Sequence, residues 1–119
     1  MRLISCLALC AALALPALAD PPEVRDIHAQ KAGMVWNIHV TLAHPDTGWD
    51  HYADGWEVLD AQGRRLGYRE LMHPHVDEQP FTRSLSGVSI PDGTREILIR
   101  PRCSRDGWSG TAVRVELRP

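Results

Sequence analysis

His73-Pro74-His75 sets two imidazoles two positions apart, and on an extended backbone such positions face the same side. Pro74 holds His73 in that extended region, so both rings can reach one ion. Imidazole suits copper(II), zinc and nickel, and Met72 beside the pair adds a thioether that favours copper(I). Glu78 offers a carboxylate a few residues on. A second loop, 44–54, carries His44 and His51, so four of the six histidines fall in two loops. The pattern predicts a transition-metal site, copper first and zinc second, built from His73, His75, His44, His51, Met72 and Glu78. A plainer reading stands beside it, in which loop histidines hydrogen-bond to carboxylates and carbonyls and simply order the chain.

The same loops are rich in aromatic residues. Trp49 and Tyr52 lie in 44–54, and Trp108 lies in a third loop, 104–110. Left exposed, such residues anchor a protein partner. The rival expectation is therefore an interaction module whose His, Asp and Trp loops are structural and present Trp49, Tyr52 and Trp108 for docking. Asp46, Asp50 and Asp54 recur every four residues, but the spacing of a calcium loop is absent, so turn capping is expected of them. Arg83 is placed to pair with Asp77, Glu78 or Glu70 and staple the His loop. His28 and His39 fall on strands and should face solvent. Cys103 reads as a packed bystander, with a ligand or a dimer bridge as the alternatives. No serine sits in a nucleophile elbow, and no catalytic residue is assigned; a non-enzymatic role is expected.

The elements that must position these loops are strands. Trp36, Ile38, Val40 and Leu42 alternate with Asn37, His39 and Thr41, the period of a half-buried antiparallel strand. Ile97 and Ile99 alternate with Glu96 and Arg100, and Val113, Val115 and Leu117 with Arg114 and Glu116. Trp56 and Val58 share a face. Weaker signals cover Val24–Ala29, Leu66–Leu71 and Phe81–Ile90, the last with a bulge at Gly87. About seven short strands without a helical period predict an all-β, immunoglobulin-like or fibronectin III-like antiparallel sandwich, with a small open barrel as the alternative. Trp36 and Trp56 should centre the core. Counting strand directions sends the three rich loops to one end and the plain turns at 31–33, 61–64 and 91–93 to the other.

Residues 1–19 read as a signal peptide. Arg2 precedes the apolar run Leu3–Leu15, and Ala17-Leu18-Ala19 fits the small-x-small cleavage rule. Cleavage after Ala19 would leave one domain, 20–119, in the periplasm or secreted, with no membrane insertion. Cys10 follows Leu9, and Cys6 leaves no apolar run ahead of it, so a lipid anchor is not expected. Both depart with the leader, leaving Cys103 without an internal disulfide partner. Without Arg2, 12 of the 13 basic residues remain against 15 acidic ones, a net of about −3. Lacking a basic stripe, the chain is a poor nucleic-acid binder. A metal-delivery or envelope protein is the expected partner class.

Gly48-Trp-Asp-His-Tyr-Ala-Asp-Gly-Trp-Glu-Val-Leu-Asp60 and His73-Pro-His-Val-Asp-Glu-Gln-Pro-Phe-Thr-Arg-Ser-Leu85 resemble segments of a family of small exported bacterial sandwich proteins without an assigned activity. That resemblance implies a shared fold. In architecture the chain is also similar to the CopC-type periplasmic copper carriers. Those carriers ligate through a histidine at the mature amino terminus, whereas this chain would begin Asp20-Pro21-Pro22.

Overall fold

A computed structural model describes residues 21–118. The expected signal peptide, 1–19, lies outside the described residues. Eight strands follow in order: β1 (Glu23–Ala32), β2 (Val35–Ala43), β3 (Ala53–Leu59), β4 (Arg65–Glu70), β5 (Phe81–Val88), β6 (Glu96–Cys103), β7 (Gly107–Trp108) and β8 (Val113–Glu116). They form two antiparallel sheets. One has the order β1-β2-β5; the other has β4-β3-β6, with β7 and β8 both along the free edge of β6. This is the expected sandwich, with one strand more than the alternation marks. The addition is β7, two residues long, too short to show a period.

Period-two patterning fixes which side each strand buries. On β2, Trp36, Ile38, Val40 and Leu42 are buried while Asn37, His39 and Thr41 are half-buried. On β6 the inward set is Ile97, Ile99, Pro101 and Cys103, so the same alternation that makes the core carries the thiol inside. Trp36 and Trp56 both join the core, with Ile38, Val40, Leu42, Val58, Phe81, Ile97 and Ile99. The bulge expected in β5 is present: the β2–β5 register shifts between Trp36 and Ile38. Gly87 lies opposite this break at φ 71°, a left-handed conformation that glycine adopts without a Cβ penalty.

The parity of the strands sets the ends. The plain turns are self-contained; Asp60 Oδ1, for example, accepts from the amides of Gln62 and Arg64. The rich loops are bonded to one another at the opposite end. The His75 amide donates to Asp46 Oδ2 at 2.8 Å, and the Leu71 amide donates to the Asp54 carbonyl at 3.0 Å. The Ser104 amide donates to the Tyr52 carbonyl at 2.9 Å, and the Tyr52 amide donates to Ser104 Oγ at 3.0 Å. Residues distant in sequence thus share one pole of the sandwich.

Candidate metal centre

Asp46 is the hub of that pole. Its carboxylate is fully buried, which an ionised group tolerates only when its oxygens are well hydrogen-bonded. Oδ1 accepts from the Ala53 amide at 2.9 Å and from His44 Nδ1 at 2.5 Å, while Oδ2 takes the His75 amide. Gln79 adds a second tie. Its Oε1 accepts from the His44 amide at 2.9 Å, and its Nε2 donates to the His75 carbonyl at 2.8 Å. His44 follows directly on β2, so a core strand and a buried carboxylate together fix its ring.

Because the Asp46 carboxylate accepts a hydrogen bond from Nδ1–H, the lone pair of the neutral His44 ring is on Nε2. That nitrogen is buried without a hydrogen-bond partner, and so is Nε2 of His51. The two rings meet edge to face with centroids 4.8 Å apart. Cys103, the last residue of β6, is buried and free, and it faces the same space. Among the described residues, one ligand atom from each of His44, His51 and Cys103 falls within 4.8 Å of the others. Buried polar atoms are nearly always paired, so two unpartnered imidazole nitrogens beside a thiol call for an explanation. An ion supplies one. A carboxylate–histidine pair is also the usual support for a metal-bound imidazole, since the outer group fixes tautomer and orientation.

Of the residues singled out from sequence, the structure brings His44 and His51 into this group, together with Cys103. His73 and His75 form a separate pair, with centroids 4.5 Å apart and planes tilted by 36°, that joins no third donor among the described residues. His75 is stacked flat on Phe81, with centroids 3.9 Å apart and planes 8° from parallel. Its Nε2 is 2.9 Å from Arg83 Nη2. Arginine has no acceptor, so His75 Nε2 must accept and its proton resides on Nδ1, which has no partner. Burial first, then the Arg83 guanidinium and His73, push the His75 pKa below its ordinary value. His73 is exposed, with Nδ1 3.0 Å from the Pro74 carbonyl. Met72 is exposed, and Glu78 pairs with Arg83 at 3.3 Å, one of the expected staples.

The three aromatic candidates differ. Trp49 is 70% exposed and meets Tyr52 edge to face at 5.7 Å. Trp108 is half-buried, with the guanidiniums of Arg100 and Arg65 at 5.0 and 5.4 Å from its ring centroid and Tyr68 edge-on at 5.9 Å. His28 and His39 face each other across β1 and β2, with ring centroids 5.8 Å apart.

Cys103 and Asp46 carry more of the site than their sequence context suggests. The signal for Cys103 was its parity with Ile97 and Ile99 at the end of a strand leading into a rich loop. Asp46 is two residues from His44, close enough to orient its ring, although turn capping accounts equally well for that spacing. Nothing in the sequence marks Gln79.

A hollow of about 320 Å³, lined by Pro21, Pro22, Cys103, Asp106, Trp108 and Ser109, adjoins the thiol. A larger one, about 520 Å³, lies at the plain end between Trp36, Asp92, Arg95 and Leu117 and holds no comparable donor set among the described residues.

Comparison with known proteins gives one informative relationship. A "Putative lipoprotein" of Halomicrobium mukohataei is 42% identical over 95 residues, 79% of this chain. The match covers 46% of that protein, so the chain spans a little under half of its length. No family model and no solved structure matches.

Proposed function

We propose that this protein is a non-catalytic, exported β-sandwich that binds one transition-metal ion through His44, His51 and Cys103, with copper as the ion. The observation that carries the reading is the convergence of these donors while both histidine Nε2 atoms lack any other partner. Two imidazoles and a thiolate rank copper(II) highest among divalent first-row ions, with zinc the runner-up. Export is supported by the leader-like first 19 residues and by the name borne by the Halomicrobium relative. A periplasmic location and a delivery role in the envelope extend the same reading.

Titration of the purified protein with copper(II) and zinc tests it. One equivalent should bind, with a thiolate-to-copper charge-transfer band that disappears in Cys103→Ser. A His73→Ala/His75→Ala double variant should keep that band; its loss there would move the site to the His-Pro-His loop. Uptake no tighter than that of an unrelated histidine-containing protein would end the metal reading.

Exposure of Trp49, with Met72 and Val76 also exposed, favours a partner contact as a second reading. Trp49→Ala should then weaken capture of an envelope partner with or without metal.

A further inference from the structure

Asp106 stands outside the three-donor group yet lies against two of its members. A single oxygen, Oδ2, is 3.6 Å from Cys103 Sγ and 3.7 Å from His51 Nε2. The second distance is too long for a hydrogen bond. Bond lengths of roughly 2.0–2.3 Å at tetrahedral angles hold neighbouring ligand atoms roughly 3.3–3.6 Å apart. The carboxylate thus stands near ligand-to-ligand spacing from Cys103 and His51, and it would have to close on His44 to complete a tetrahedron.

Its surroundings agree with that role. Among the described residues no arginine or lysine pairs with Asp106. The turn that carries it is held in place, because Ser104 and Tyr52 bond to each other through both residues' amides. Gly107 at φ 77° lets the chain double back immediately, so Gly107 lies opposite Cys103 across the β6–β7 pairing. Exposure is graded across the group. The His44 side chain and Cys103 are fully buried, His51 is 14% exposed and Asp106 is 37% exposed, with the hollow described above beside it.

Resting on the metal reading above, we infer that Asp106 is the outermost fourth ligand, completing a two-imidazole, thiolate and carboxylate set that favours a divalent ion over copper(I). A carboxylate oxygen is a hard donor, whereas copper(I) is satisfied by thiolate and imidazole. In the metal-free protein the Cys103 thiol donates to the same oxygen. Binding must displace that proton, since the thiolate is the ligand form.

The experiment compares wild type, Asp106→Asn and Asp106→Ala in titrations with cobalt(II), copper(II) and, under reducing conditions with a competing chelator, copper(I). Wild type should give the strong visible absorption of four-coordinate cobalt with a thiolate ligand. Asp106→Ala should lose divalent affinity by about 10–100-fold, the scale seen when a group supporting a metal site is removed. Copper(I) affinity should change far less, and the reduction potential of bound copper should become more positive. Asp106→Asn keeps the shape of the side chain and should fall between the two, with the melting point of each metal-free variant matching wild type. Equal divalent affinities and an unchanged cobalt spectrum in Asp106→Ala would overturn the assignment of Asp106 alone. Failure of wild type to bind any of the three ions, or retention of binding in Cys103→Ser, would overturn the three-donor site itself.

Discussion

At the scale of single residues, the two histidine pairs have opposite electrostatic settings. His44 donates a hydrogen bond from Nδ1 to a buried carboxylate and presents the lone pair of Nε2. His75 spends its lone pair on Arg83 and has a cation beside it, conditions that oppose both a metal ion and a proton. Those conditions make His75 a source of pH-dependent stability. Its folded pKa is depressed, by burial first, with Arg83 and His73 adding repulsion and Glu78 and Asp46 opposing it. The unfolded chain therefore binds more protons, and stability rises with pH across this interval. The contribution is complete above the ordinary histidine value of 6.5 and is lost as pH falls below it toward the depressed folded value. Melting in the presence of a chelator should show the midpoint falling between pH 7 and pH 5. His75→Gln should flatten that slope relative to wild type, and an equal slope in both proteins would remove His75 from the account.

At the scale of elements, alternation made β2 and β6 legible because one face of each is core and the other is not, and it marked β8 as well, although Val113 there is 40% exposed and only Val115 is half-buried. It also carried the two core tryptophans. It could not mark β7, whose two residues are placed by the Gly107 turn, and it understated β1, an edge strand with little burial to impose a period. Glu57 shows a different limit. Sequence parity turns it away from Trp56 and Val58, yet it is only 2% exposed. Arg65 and Arg100 cover it, each giving Nε and Nη2 to one carboxylate oxygen, with the Nη2 contacts at 2.7 Å. Pairing across β4, β3 and β6 creates this burial, so no local pattern reveals it. The arrangement predicts an asymmetry. Glu57→Gln leaves two half-exposed arginines that can turn to water, and it should cost about 1–2 kcal/mol. Arg65→Met/Arg100→Met strands a buried carboxylate and should cost about 3–5 kcal/mol. Urea unfolding of both variants checks the order, and equal losses would show that the carboxylate escapes to solvent.

At the scale of the whole molecule, the candidate site joins the two layers. His44 continues β2 of the three-stranded sheet, whereas Cys103 ends β6 of the other sheet, and His51 precedes β3. This convergence followed from strand parity in the sequence, while the choice of Cys103 as the third donor needed the packed β6 register. Cys103 is the single cysteine among the described residues, and among them no disulfide links the sheets. An ion shared by these residues would fill that role, and binding to the native state alone would add its free energy to folding. With free metal at a hundred times the dissociation constant, the gain is about 2.7 kcal/mol. For a domain of about 100 residues that corresponds to a rise of roughly 10–20 °C in Tm. Calorimetry with and without one equivalent of copper(II) or zinc should show this rise in wild type and its loss in Cys103→Ser. A variant with the His-Pro-His pair replaced should retain the rise, because that loop hangs from Asp46 and Gln79 through backbone groups that the substitutions leave in place. A rise of the same size in Cys103→Ser would mean that the stabilising ion binds elsewhere and that the two sheets are held together by the core alone.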